Sequence, residues 1–286
     1  LYLCISSIRG AKFFKLMIKL IKPKNIFVKS FDNPTAMALI CAGNELEINT
    51  IDYQHGQQGE NSLHYSNWNS VPKNGYKMLP KYFWIWEDIF RSKFDIWMKN
   101  QSFHKVIVGG NLWQDFFLKN RVNYYEVFRD KKIHVLYCMQ FSKINEVILE
   151  AIRNSRDIVW HIRLHPKDLN KLNLIKENLI KEKIPENLIE FEIANNYLLE
   201  DLLLKIDVVV SEWSTSLYEA YTFNKTAITI SNFGELAYKK FIEKNKIYYA
   251  RNQKELIKYI KNIKRNNSPI PKISKFNYDE VAFLKI

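Results

Sequence analysis

From Lys132 onward the chain alternates two hydrophobic periods. Short apolar runs rich in β-branched residues, Ile133–Cys138, Ile158–Arg163, Leu188–Glu192, Asp207–Ser211, Thr226–Ser231 and Lys246–Ala250, read as strands. Between them lie amphipathic segments. Ser142–Asn154 sets Ile144, Val147, Ile148, Ala151 and Ile152 on one helical face, and Lys167–Glu182, Tyr197–Lys205, Ser214–Phe223, Glu235–Asn245 and Gln253–Ile263 behave alike. Strands each followed by a helix predict a doubly wound parallel sheet. Upstream the alternation is less regular. Helix Ile8–Ile21, strand Asn25–Phe31, helix Pro34–Leu46 and strand Ile48–Tyr53 precede a long polar stretch to Leu79, and Val106–Val108 with Gly109-Gly110-Asn111 closes as a last strand and turn. The expected class is α/β, with two Rossmann-like doubly wound domains facing a cleft. The charge-rich break at Arg129–Lys132 divides them into 1–130 and 131–268, and the tail 269–286, with Pro269 and Pro271, is expected to run over the surface.

Composition narrows the class without choosing a function. At 286 residues, 47% hydrophobic and 26% charged, the chain can bury a substantial core and does not read as disordered. Cys4, Cys41 and Cys138 are far apart and show no C-x-x-C spacing, which predicts free thiols in a reducing cytoplasm. The apolar stretch Phe13–Phe27 is broken by Lys15, Lys19, Lys22, Pro23 and Lys24, so it cannot span a bilayer. The chain opens on Leu1 with no ordered signal-peptide regions, and its natural beginning is expected to lie upstream. A net charge of +13 fits nucleic acid, an anionic membrane surface or anionic small molecules and polymers.

Two strand ends in the second half carry candidate chemistry. Ile158–Arg163 runs into Leu164-His165-Pro166, which places His165 just past a carboxyl end, where a parallel sheet presents ligand-binding groups. Such a histidine can donate to a phosphate or protonate a leaving oxygen; a structural strand-end histidine is the alternative. The run Asp207 to Ala220 reads as a buried strand, a hydroxyl-rich turn and a helix start. Ser211, Ser214, Thr215 and Ser216 could present an anion site, or the last three could simply cap the helix. Glu219, one turn in, can accept hydrogen bonds from ribose or sugar hydroxyls, or stand exposed. Tyr82–Trp86, with Trp68 and Trp97, reads as domain core, with stacking on sugar rings as the other option. No Asp-x-Asp, G-x-x-x-x-G-K-[ST] or G-x-G-x-x-G occurs, so the expected chemistry needs no metal and no cofactor.

Leu164-His165-Pro166 resembles the HP motif, and Ser211 to Glu219 the serine-rich motif, of bacterial glycosyltransferases with the two-domain GT-B fold. The similar groups are sialyltransferases, polysialyltransferases, Kdo transferases and CDP-glycerol glycerophosphotransferases. The resemblance implies that His165, Pro166, Ser211, Ser214, Thr215, Ser216 and Glu219 hold a CMP- or CDP-activated donor. Gln54-His55-Gly56 resembles the QHG turn of the same enzymes, which implies His55 as general base, with Asp52 and Glu60 in reserve. Lys105 to Asn111 resembles their V-x-G-N-P hinge, with Leu112 in place of proline.

The resulting expectation is a metal-independent transferase that passes a sugar, of sialic acid or Kdo type, to a surface-polysaccharide or lipid-linked glycan acceptor. It is expected in the cytoplasm, peripheral at the inner face of an anionic membrane, with no nucleic-acid partner. The alternatives are a CDP-glycerol type transferase, a UDP-sugar epimerase and a non-catalytic module binding an anionic polymer.

Overall fold

The computed structural model describes residues 2–56, 64–66, 68–120, 132–263 and 278–284. The chain divides into two compact units, residues 1–116 with 274–286, and residues 117–273. Each is an α/β unit around one fully parallel sheet, as the sequence pattern predicts.

The first unit holds β1 (Asn25–Val28), β2 (Asn49–Tyr53), β3 (Tyr82–Ile85) and β4 (Lys105–Val108), paired in that order. Helix Tyr2–Ile21 ends before Pro23, and Lys22 turns the chain at φ 51°. Helix Pro34–Glu45 starts where Asn33 accepts from the Ala36 amide at 2.9 Å and proline supplies a preset φ. It lies close on the sheet because Gly43 has no Cβ: one there would stand 2.7 Å from Thr50 Cγ2.

The sequence pattern misses β3. All four of its residues are buried, so no alternation marks it as a strand, although its aromatics read as domain core. It is core: Phe83 meets Phe94 at 5.0 Å and Phe31 at 5.7 Å, and the Trp84 indole donates to the Gly110 carbonyl at 2.9 Å. Burying a ring of about 200 Å² at about 25 cal/mol per Å² contributes on the order of 5 kcal/mol. Gly109 is required there, since a Cβ would fall 2.1 Å from the Trp84 ring. Of the tail expected to run over the surface, the described residues 278–284 pack inward instead. Val281 and Leu284 are buried with Ile51, Tyr82, Trp84 and Ile107, and Asn25 Nδ2 donates to the Leu284 carbonyl at 2.7 Å.

The second unit holds β5 (Ile133–Cys138), β6 (Ile158–Arg163), β7 (Ile189–Glu190), β8 (Val208–Ser211), β9 (Thr226–Thr229) and β10 (Tyr248–Tyr249), in the order β10-β9-β8-β5-β6-β7. This is the Rossmann order, and its topological switch point lies between β5 and β8. Predicted helix Lys167–Glu182 divides into a 3-10 turn, Pro166–Lys171, and helix Leu172–Lys181, and predicted helix Glu235–Asn245 breaks at Tyr238 into Asn232–Ala237 and Lys239–Glu243. The central strands are buried on both faces, which is why they read as continuous apolar runs. Their carboxyl ends form one row: register pairs Arg163 with Cys138, Cys138 with Ser211 and Ser211 with Thr229.

Candidate active site

His165 stands two residues beyond β6, exposed, as the N-cap of the turn Pro166–Lys171. The Lys167 amide donates to its Nδ1 at 3.2 Å. An amide can only donate, so Nδ1 is the acceptor, and in the neutral ring Nε2 carries the proton. That N–H is the group a bound anion would meet. Pro166, also exposed, presets the turn. The loop is tied to the one after β5 by Lys171, whose Nζ donates to Ser142 Oγ at 2.7 Å and Asp168 Oδ1 at 2.5 Å.

The serine-rich turn is built differently from its prediction. Ser211 is fully buried, and its hydroxyl donates to the Cys138 carbonyl at 2.6 Å, clamping β8 to β5 across the switch point. Ser214 Oγ accepts from the Ser216 amide at 3.3 Å. Thr215 is the N-cap residue of helix Ser216–Thr222, yet its side chain makes no cap hydrogen bond. Ser216 is buried, its hydroxyl beside the Cys138 thiol. Of the three predicted caps, only Ser214 caps.

The turn is locked from beneath. The Glu212 carbonyl accepts from Thr229 Oγ1 at 2.5 Å and Ser231 Oγ at 2.7 Å. Gly234 brings the next helix against that carbonyl, where a Cβ would stand 2.0 Å from the oxygen and 1.9 Å from Thr229 Oγ1. The buried Glu212 carboxyl accepts from the Tyr137 hydroxyl at 2.6 Å, and burial raises its pKa against the pull of that bond. Half-buried Trp213 meets Phe141 at 5.0 Å and Phe233 at 5.2 Å, both edge-on. Both phenylalanines are more than half exposed, at 53% and 52%. Loops after β5, β8 and β9 thus share an aromatic platform.

Glu219 keeps part of its own surface open, so it is half-buried, while protein surrounds the carboxyl on every other side. Desolvation, with the Glu200 charge adding and Arg163 opposing, pushes its pKa to about 8. It is therefore mainly protonated at neutral pH, able to donate as well as accept. Arg163 Nη1 donates to the carbonyls of Ala194 at 2.5 Å and Tyr197 at 2.9 Å. The sequence reading does not single out Arg163, Tyr137 or Glu212. Arg163 was accessible to it, sharing a strand end with His165; a buried glutamate reads like any other.

In the first unit, the ends of β1 and β2 carry a second group. His55, exposed, has Nε2 3.0 Å from Ser30 Oγ. Partial burial and the Lys29 charge lower its pKa, with Asp32 opposing, so the ring is neutral at pH 7 and its free nitrogen can accept a proton. Ser30 is held at φ 62°, a left-handed conformation that a non-glycine residue adopts at a cost. No sequence signal marks that strain. Asp52 lies beneath, buried, with Oδ1 accepting from the Phe31 amide at 3.2 Å. Burial raises its pKa to about 7, against hydrogen bonds from Tyr65, Phe31 and Ser30. Gln54 fixes the turn through its bond from the Trp86 amide at 2.8 Å and to the Gly56 carbonyl at 2.9 Å. Glu60 lies outside the described residues.

Among the described residues no three His, Cys, Asp or Glu side chains group to hold a metal ion, and no helix is long and apolar enough to cross a membrane.

No family model and no curated protein sequence matches the chain. Solved structures do match in fold. S. aureus MnaA with UDP is 13% identical at a TM-score of 0.64, the match covering 99% of this chain and 82% of that one. The UDP-GlcNAc 2-epimerase of Methanocaldococcus jannaschii, solved with UDP-GlcNAc and UDP, is 16% identical at 0.61, covering 98% and 80%. The spinosyn rhamnosyltransferase SpnG with thymidine diphosphate is 10% identical at 0.50, covering 89% and 66%. At these identities the likeness is one of fold alone, α/β with two parallel Rossmann-like sheets.

Proposed function

We propose that this chain is a nucleotide-sugar enzyme that binds a UDP-linked sugar on its second unit and acts on the sugar by acid/base chemistry of the epimerase kind, without an acceptor. The observation that carries the reading is the placement of His165 beyond β6 and of Glu219 in the helix after β8, the two strands that flank β5. The imidazole offers an N–H to a phosphate oxygen, and the carboxyl, neutral because its pKa is about 8, can bond ribose hydroxyls without repelling a diphosphate. The Trp213, Phe141 and Phe233 rings give a sugar or base ring an apolar face to stack on. UDP in place of a cytidine nucleotide follows the ligands of the epimerases whose fold this chain shares. Neither this reading nor the next invokes a metal ion.

A second reading, sugar transfer to a hydroxyl, rests on His55. A neutral imidazole beside a strained serine suits deprotonation of an alcohol, and a cytidine-activated donor belongs to this reading.

The test is thermal-shift binding of UDP, CMP, CDP, GDP and ADP to the full chain, with and without magnesium, followed by incubation with UDP-GlcNAc in heavy water. Selective stabilisation by UDP, about 2.7 kcal/mol at a hundredfold excess over Kd, with deuterium entering the sugar in the absence of acceptor, is expected. Selectivity for CMP or CDP would move the assignment to transfer, and no nucleotide binding would overturn both readings.

A further inference from the structure

Helix Tyr2–Ile21 has two apolar sides. Ala11 and Ile18 are buried where the helix packs on Pro34–Glu45, and Gly10 allows the approach, a Cβ there standing 3.1 Å from Ala38 Cβ. The opposite side holds Phe13, Leu16 and Leu20, at 59%, 59% and 69% exposure, with Met17 and Ile21 also exposed beside them. Positions 13, 16, 17 and 20 fall on one helical stripe. Exposed Arg9, Lys12, Lys19, Lys22 and Lys24 surround it, while Lys15, on the inner edge, is paired with Glu45. Residues 1–31 contain seven lysines and arginines and no acid, more than half of the chain's net charge of +13.

We propose that this face docks on an anionic membrane surface, the helix lying in the headgroup plane with Phe13, Leu16 and Leu20 inserted and the lysines against lipid phosphates. Charge complementarity selects this occupant. A symmetric contact with a second copy would set two helices that carry only basic charges against each other, which like-charge repulsion opposes. Anionic lipid offers both the apolar layer and the counter-charge. The helix lies on the bilayer and does not cross it. The inference stands independently of the nucleotide reading.

Co-sedimentation of the full chain with phosphatidylcholine vesicles, pure or with about one-third phosphatidylglycerol, tests it. Binding is expected to the anionic vesicles alone and to be lost at high salt. The double variant Leu16→Glu, Leu20→Glu should lower the bound fraction about tenfold, and Lys12→Glu, Lys19→Glu should weaken it comparably, with the same melting curve and the same nucleotide stabilisation as the parent. All substituted side chains are exposed, and the Lys12→Glu, Lys19→Glu pair probes charge alone. Absence of vesicle binding, equal binding to neutral vesicles, or a parent dimer that Leu16→Glu, Leu20→Glu converts to monomer would overturn the proposal.

Discussion

Glu219 and Asp52 are both carboxyls that burial holds protonated, at pKa values of about 8 and about 7, and they differ in what their ionised forms would meet. An ionised Glu219 would stand against the phosphates proposed for its site. UDP affinity should then be level up to about pH 8 and fall above it, by up to about tenfold per pH unit for one linked proton, while Glu219→Gln should flatten the profile. Calorimetric titration from acid to alkaline pH reads this, and an affinity indifferent to pH in the parent would remove Glu219 from the site. Asp52 makes its mark on folding. Its carboxyl ionises near 3.8 when the chain is unfolded and near 7 when folded. Stability is therefore full below the lower value and declines as pH rises between the two. Asp52→Asn, which keeps an acceptor for the Phe31 amide, should stabilise the first unit at pH 8, on the order of 1 to 4 kcal/mol, as measured by urea unfolding. No gain at pH 8 would mean that its hydrogen bonds already offset the desolvation.

Elements place these groups more firmly than their own contacts do. The turn after β8 is positioned by Gly234, because only a residue without Cβ lets helix Asn232–Ala237 reach the Glu212 carbonyl. Gly234→Ala should cost about 1 to 3 kcal/mol by overpacking and should weaken UDP binding at the same time; a variant that melts like the parent would show that the helix can shift freely. At this scale the sequence is legible where a period or a turn signals structure. The alternation from Lys132 onward marks the second sheet, and the strand-to-proline step marks His165. It is illegible where burial is complete. β3 has no polar side to reveal its period, and Ser211 looks like a ligand-facing hydroxyl until its bond across the switch point is seen. Ser30 is silent for another reason, since its role lies in a backbone angle.

At the scale of the molecule, the second unit is an insertion within the first. Residues 117–273 form one core, and the segment after them returns to complete the other, with Leu284 only 1% exposed. Leu284→Ala should therefore destabilise the first unit by about 2 to 5 kcal/mol and leave the second untouched. Hydrogen exchange resolved by peptide checks this: protection should fall in β1 to β4 and persist in β5 to β9. Equal loss in both would mean that the two cores unfold as one.

That return of the chain also sets an order of birth. As the ribosome extends the polypeptide, β1 to β4 emerge before the second unit but lack Val281 and Leu284 until the segment beyond that unit is made. The second unit, complete before them, has everything it needs to fold at once. The earlier half must wait, its aromatic strand β3 uncovered on one flank, for a piece made only after the second unit. A nascent chain stalled before Val281 should expose that half to proteases and chaperones while the later half is already compact.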